Sequence, residues 1–347
     1  MIDRNLSISS FLALRYTEKP GVDFSAKYHY RHPEMPSNEN RILVKTAKEI
    51  GNSLEKQIEE KRSGYKRLGI FLSGGMDSSI LASYLSGIDA YTFRFLGGSF
   101  QQDELRRAEK FAEKNRMNLH YVDIDWNTVV ANLKDVMISK GGPVHSIEPQ
   151  LCQGAKQAKA DGVDLMIIGD ASDYVFGGMD KLLSKDWTFD DFVKRYIYVD
   201  PFEVLKEPVS VQYLFERYRK GNCIDFVKIL EELAAQESYG SYDNAFIAAD
   251  IDYFDPYEKL KMAEPLDLQR VRNGGSKYLI RELFEMRYID IPVPEKLPMP
   301  RPVDSYFANW KGPIRSEFKE NLDMAKYSGN QKWLMWCLEQ FLNMIEE

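Results

Sequence analysis

Seven residues, Ser73-Gly74-Gly75-Met76-Asp77-Ser78-Ser79, put three hydroxyls and one carboxylate around a pair of glycines. Hydroxyls can donate to an anion, and a carboxylate can hold a hard cation such as Mg²⁺. Glycines let the backbone turn sharply and approach a ligand closely. The apolar run Leu68 to Leu72 precedes the loop, and an apolar, helix-compatible segment, Ile80 to Leu85, follows it. Strand, tight turn and helix start is the order that presents free N–H groups and a positive dipole end to a phosphate. The same residue types also make an ordinary capped turn, so the rest of the chain has to decide. The spacing is neither Gly-x-x-x-x-Gly-Lys-Ser/Thr nor Gly-x-Gly-x-x-Gly.

A second candidate stretch is Ile168-Gly-Asp-Ala-Ser-Asp-Tyr-Val-Phe-Gly-Gly178, and a third is Gly275-Ser-Lys-Tyr-Leu-Ile-Arg-Glu-Leu283. They bring Asp170, Asp173 and Tyr174, then Lys277 and Arg281. The elements that must position them alternate. Leu68–Leu72 reads as a strand, and a helix runs to about Leu85. Asp89–Phe95 is the next strand, with helix Gln102–Lys114 after it. Leu119–Ile124 reads as a strand, then Trp126–Met137 and Pro149–Ala160 as helices, and Leu165–Ile168 as a buried strand. Such alternation predicts a parallel sheet with helices on both faces, and ligands bind beyond the carboxyl ends of such strands. Both glycine-rich loops fall at that edge.

Elsewhere the reading is coarser. Residues 1 to about 40 look irregular, apart from a strand or short helix over Ile8–Tyr16. Arg41–Lys61 has helical spacing. Residues 187–236 carry aromatic and charged residues at helical intervals, which predicts core rather than a ligand cage. Ile280–Tyr288 and Lys332–Ile345 read as helices. Pro292, Pro294, Pro298, Pro300 and Pro302 predict an extended loop. The divisions expected are an arm and lead-in helix (1–60), an α/β core (61–185) and a mostly helical region (186–347).

Composition excludes several classes. A net charge of −7 argues against general affinity for nucleic acid. No apolar run approaches the ~20 residues of a membrane span, and the charged start lacks a signal core, so a cytoplasmic location is expected. Cys152, Cys223 and Cys337 are far apart and the 4 histidines do not cluster, which argues against zinc or a disulfide framework.

The first loop resembles the pyrophosphate loop of the ATP pyrophosphatases, which cut ATP between the α and β phosphates. The second stretch resembles the Ser-Gly-Glu-Gly-Ser-Asp-Glu-Val-Phe-Gly-Gly element of asparagine and β-lactam synthetases. The third is similar to their Lys-x-x-Leu-Arg-Glu segment. The resemblance implies an adenine nucleotide α-hydrolase-like fold, with ATP and Mg²⁺ as cofactors and a small carboxylic acid and ammonia or an amine as substrates. Ser73, Gly74, Gly75, Ser78 and Ser79 would cradle pyrophosphate. Leu72, Phe95 and Gly169 would line the adenosine site, and Asp77 and Asp173 would hold the metal. Lys277 would be the electrostatic catalyst, placed by a mobile loop at Gly274-Gly275, with Arg281 assisting it or holding a carboxylate.

Three departures bear on the substrate. Asp170 stands where the family has a proton-handling glutamate, and Tyr174 where it usually has a second acid. The segment Asp250-Ile-Asp-Tyr-Phe-Asp255 carries Asp where Arg is expected. Residue 2 is Ile rather than the glutaminase Cys, so no local glutaminase is expected. Ammonia would then come free, from a separate glutaminase subunit, or give way to another amine. No nucleic-acid or membrane partner is expected, and a homodimer is left open. Two other functions fit the loop: sulfur transfer, as in tRNA thiolation, and a non-catalytic nucleotide-binding subunit.

Overall fold

The structure is a computed structural model that describes residues 1–96, 101–296 and 301–347. In chain order it opens with α1 (Arg4–Leu14), β1 (Ile42–Val44), α2 (Ala47–Arg62), β2 (Leu68–Phe71) and α3 (Met76–Ala82). Next come β3 (Asp89–Phe95), α4 (Gln102–Lys114), β4 (Asn118–Ile124), α5 (Trp126–Lys140), α6 (Glu148–Ala160), β5 (Leu165–Ile167) and α7 (Ser172–Val175). Short helices α8 to α12 and the hairpin β6–β7 (Arg219–Lys220, Cys223–Ile224) occupy residues 180–229. A π-helical turn, Leu230–Ala234, leads into α13 (Ala235–Ala249). Then follow β8 (Asp252–Phe254), β9 (Leu260–Met262), α14 (Leu268–Arg272), α15 (Tyr278–Arg287), α16 (Val303–Tyr306) and α17 (Gly329–Glu346).

The main sheet has five strands in the order β4-β3-β2-β5-β8, every pair parallel. The chain builds outward from β2 through β3 to β4, then returns to the other side of β2 to lay down β5. That reversal makes a crevice between β2 and β5, at the carboxyl ends of both. Ile70 lies opposite Ile167, so the loops that follow the two strands leave the sheet at one level. The fifth strand comes from residues 252–254, inside the stretch read from sequence as the helical region.

Alternation along the strands feeds two cores. Leu68, Ile70, Leu165 and Ile167 pack with α2, α3, α4 and α15 on one face. Phe71, Tyr91 and Met166 pack with α1, α5, α6 and α17 on the other. α2 shows how the sequence dictates its helix. Thr46 caps it by accepting from the Glu49 N–H, and Ile50, Leu54 and Ile58 form one buried stripe.

Several boundaries differ from the sequence reading. The expected element over Ile8–Tyr16 is the helix α1, which starts earlier, because Asp3 accepts from the Leu6 N–H, and ends at Leu14, where Arg15 turns left-handed with φ +71°. Every residue from Leu6 to Leu14 is buried, so no polar face betrays the helical period. The lead-in helix over Arg41–Lys61 is β1 and then α2, because residues 42–44 pair with β9. The aromatic stretch 187–236 breaks into short helices and a hairpin rather than long amphipathic helices. Pro292 and Pro294 lie in irregular chain; Pro298 and Pro300 fall outside the described residues. Among those described, no helix is long and apolar enough to cross a membrane.

Gly141 fixes the N-terminal arm. It ends α5 with φ +70°, and an added Cβ would overlap the His29 carbonyl. Gly87 has φ +82° but nothing within 4 Å of an added Cβ. Gly141→Ala is therefore expected to cost about 2–3 kcal/mol in urea denaturation and Gly87→Ala about 1 kcal/mol. Equal costs would show that the arm is not tightly docked.

Candidate active site

The first loop is pinned before any ligand arrives. Gly74 has φ +71°, and a Cβ there would lie 2.7 Å from the Ala108 nitrogen and from the Arg107 Cβ of α4. Only glycine permits this close approach. Ser73 Oγ and Ser78 Oγ are 3.1 Å apart, and the Gly75 N–H donates to Ser73 Oγ at 3.3 Å. These hydroxyls hold the loop's shape and line the cleft above it. Ser79 does not join them: its hydroxyl is buried and donates to the Gly75 carbonyl at 2.6 Å.

Gly169 brings the second loop against the first, where a Cβ would meet Leu81 at 3.1 Å and Tyr257 at 3.3 Å. Ser172 Oγ then donates to Asp77 Oδ1 at 2.7 Å. The third stretch closes the group. Lys277 Nζ donates to Asp77 Oδ2 at 2.6 Å and to Asp173 Oδ1 at 2.7 Å. Lys296 Nζ donates to Asp173 Oδ2 at 2.8 Å and to the Gly178 carbonyl at 2.7 Å. Burial pushes the Asp173 carboxyl up, but the two lysines more than offset it and hold the carboxyl below its ordinary range. Burial likewise lowers Lys277, and Asp77 and Asp173 outweigh it, so the ammonium is firmly charged.

Lys277 is not a residue of a solvated helix face. It is 3% exposed and stands at the start of α15 with φ +53°. Gly274, φ +91°, supplies the turn before it. Among the described residues, Arg281 is neither at the cleft nor on a carboxylate: its Nε donates to the Ser276 carbonyl at 2.8 Å, bracing the peptide before Lys277.

Asp170 lines the same cleft. Its carboxyl accepts a short hydrogen bond from Ser238 Oγ of α13. Burial is the largest influence on it; Ser238 opposes burial, Asp255, Asp173 and Glu237 add to it, and the carboxyl is pushed up to about 8. Asp255 fixes the Asp170 backbone, accepting from the N–H groups of Asp170 and Ala171 at 2.8 Å each. Tyr174 does not line the cleft. It lines two neighbouring cavities, and burial, then Asp170, raises its hydroxyl well above the ordinary tyrosine range.

Leu72 and Gly169 line the cleft, but Phe95 does not; it is buried in the core at the strand end, and Phe93 lines the cleft instead. Asp250 is also remote. It ends α13 with φ +53°, is exposed, and pairs with Lys159 at 2.5 Å. Sequence reasoning assigned no role to Ser172 or Asp255, although both lie inside the motifs it singled out. Lys296 was hidden in the proline-rich segment, and Ser238 in a helix face.

A sequence profile of the asparagine synthase family matches residues 49–252, more than half of the chain. The chain belongs to the asparagine synthase family. Membership implies ATP-dependent, ligase-like chemistry, and this family generally uses ATP and Mg²⁺. No curated protein matches. Among solved structures, the chain is similar to the U34-tRNA thiolase NcsA of Methanococcus maripaludis with its [4Fe-4S] cluster, at 15% identity, covering 72% of this chain and 82% of that one, TM-score 0.30. It is also similar to the NMN synthetase of Francisella tularensis at 13% identity, with 74% and 99% covered and TM-score 0.30. A third is the NH3-dependent NAD synthetase of Campylobacter jejuni subsp. jejuni NCTC 11168 with nitrate, at 13% identity, 57% and 96% covered, TM-score 0.30.

The Asp170 carboxyl should titrate near pH 8 in the protein free of nucleotide and metal, as read by carbon NMR of labelled aspartate. An unfolded aspartate titrates near ~3.9. Its raised folded value means that Asp170 favours folding at low pH and loses that contribution as pH rises from about 4 towards about 8. Asp170→Asn should remove that part of the pH dependence. A midpoint below about 5 would mean that water solvates the carboxyl.

Proposed function

We propose that the protein is an AMP- and pyrophosphate-forming amide ligase: it adenylates a small carboxylic acid and passes the acyl group to ammonia or an amine. The observation that carries this reading is the convergence of Asp77, Asp173 and Lys277 beside the Ser73–Ser79 loop. Residues from three distant segments meet where ATP would present its phosphates.

The residues suit Mg²⁺. Two carboxylates face a single point held by one ammonium, and Gly178 lacks the Cβ that would strike Asp173 and sit 2.8 Å from Lys277 Cδ. Among the described residues, no group of three or more His, Cys, Asp or Glu side chains forms a closed metal cage. Mg²⁺ ordinarily takes one or two carboxylates and completes its shell with water and phosphate. When bound, it would neutralise phosphate charge.

The chain's own groups account for the rest. An oxygen of the substrate carboxylate attacks the α-phosphorus, and the bond to the bridging oxygen breaks, releasing pyrophosphate into the Ser73–Ser78 loop. Lys277 supplies positive charge in a dry setting where negative charge builds. The amine nitrogen then attacks the acyl carbon, AMP leaves, and the nitrogen gives up a proton. Asp170, its carboxyl near 8, can take that proton in its ionised form, whose share grows as pH rises towards 8.

Sulfur transfer lacks a poised nucleophile. Burial pushes the Cys152 thiol up to about 11 and raises Cys337 further, while Cys223 sits on the exposed hairpin. None of the three lines the ATP cleft.

Incubation with ATP, Mg²⁺, ammonia and a panel of acids should release AMP and pyrophosphate in equal amounts. ADP as the sole nucleotide product would reject the reading. Lys277→Met should lower kcat by about 10²–10³-fold, with ATP affinity measured separately by calorimetry. Retained kcat would remove Lys277 from the chemistry.

A further inference from the structure

Next to the second loop lies a cavity of about 510 Å³. Asp173 lines both it and the ATP cleft, so the two adjoin at that residue. The cleft alone encloses about 220 Å³, below the range of about 300–1,000 Å³ typical of small-molecule pockets. A nucleotide and a reacting carboxylate use up that space, so a nitrogen donor with a body of its own needs room beyond it. The cavity supplies the room. Its walls are mostly apolar, with Val175, Val227, Leu230, Met262 and Leu266 among them. Leu230 also opens the π-helical turn, a distortion frequent at functional sites.

The charges on the lining are of both signs. Arg41 and Lys261 form no salt bridge among the described residues, and the Arg41 Nε is buried there without a hydrogen-bond partner. Glu231 is exposed and likewise unpaired among them. Glu264, by contrast, meets Lys45 at 3.5 Å, and Asp173 is held by two lysines. Unpaired cations and an unpaired acid around apolar walls suit a zwitterion with an apolar side chain better than a hydrocarbon or a simple anion. On the inner side, Tyr174 and Tyr239 meet edge-on with ring centroids 6.3 Å apart. Both adjoin Asp170: Ser238, the neighbour of Tyr239, bonds the Asp170 carboxyl, and Asp170 raises the Tyr174 hydroxyl.

We infer that the nitrogen donor of this ligase is an amino acid with an apolar side chain. The side chain lies in the cavity, the carboxylate accepts from Arg41, and the amine faces Asp170. The donor role rests on the ligase reading above; the binding itself does not. In the reaction the amine nitrogen bonds the acyl carbon as the bond from that carbon to the AMP oxygen breaks. The proton lost from nitrogen goes to Asp170, and the product is an N-acyl amino acid. Ammonia would leave the apolar walls unfilled and give Arg41 no acceptor.

Calorimetry without ATP tests the binding. L-Leucine and L-tryptophan are compared with 3-methylbutylamine and tryptamine, which lack only the carboxylate, and with glycine, which lacks the side chain. At least one of the two amino acids should bind about tenfold or more tighter than both its decarboxylated counterpart and glycine. Arg41→Gln, checked for an unchanged melting temperature, should bring that amino acid to the level of its counterpart. Val227→Trp, at a half-buried wall position, should bring it to the level of glycine. No binding of either amino acid, equal binding of the whole set, or unaffected variants would overturn the inference. With ATP, Mg²⁺ and the acid panel, the bound amino acid should raise AMP release above that seen with ammonia; release supported by ammonia alone would also overturn it. No AMP release with any donor, with selective binding intact, would instead count against the ligase reading and the donor role and leave the amino-acid site standing.

Discussion

The Lys277 ammonium between Asp77 and Asp173 is the interaction on which the site depends. Two carboxylates that close repel each other unless a cation lies between them. Lys277 is itself 3% exposed and would be too costly to bury alone. Each group makes the others tolerable. Removing one partner from such a buried set leaves an uncompensated charge, at a cost of about 3–5 kcal/mol. The three segments thus hold one another in place before any nucleotide is present.

The sheet makes that meeting geometrically natural. The switch between β2 and β5 sends both loops out of one crevice, and α15 packs on α2 and α3 to bring Lys277 over it. Asp255 adds a quieter constraint. It follows β8 directly and accepts from two N–H groups of the loop after β5. The neighbouring strand therefore fixes the backbone of the loop that carries Asp170. Glycines finish the fit where no side chain has room, at Gly74 against α4 and at Gly178 against Asp173.

Much of this was legible in the residues. The ranges Asp89–Phe95 and Gln102–Lys114 coincide with the sequence reading, because clean alternation and clean helical spacing leave little choice. The loops also announced themselves, since glycine with Ser and Asp is costly to place without purpose. What stayed hidden has a common cause. β8 is only three residues long and follows a helix, so no local pattern reveals that it completes a sheet begun much earlier in the chain. Arg281 follows Lys277 by four residues, yet Lys277 lies just outside the helix and the Arg281 guanidinium bonds the Ser276 carbonyl. Phe93 and Phe95 have the same parity on β3, and only the depth of the crevice separates them. Lys296 lies in a segment whose prolines conceal any period.

The pairing of α1 with α17 has a consequence for biosynthesis. Arg4, in the first turn of α1, bonds Glu317 and Glu346, and Phe24 of the following arm stacks edge-on against Phe341. Arg15 closes α1, and it lines one of the two cavities beside Tyr174 only from that docked helix. A nascent chain carries the apolar residues 4–14 ahead of their neighbours: residues 198–199, which donate to the Leu12 and Ala13 carbonyls, come first, and residues 329–346 much later. The core around β2 to β5 can form well before then. The cavity that Arg15 lines beside Tyr174 cannot, because it also needs Lys296, so the two are assembled at different stages of synthesis.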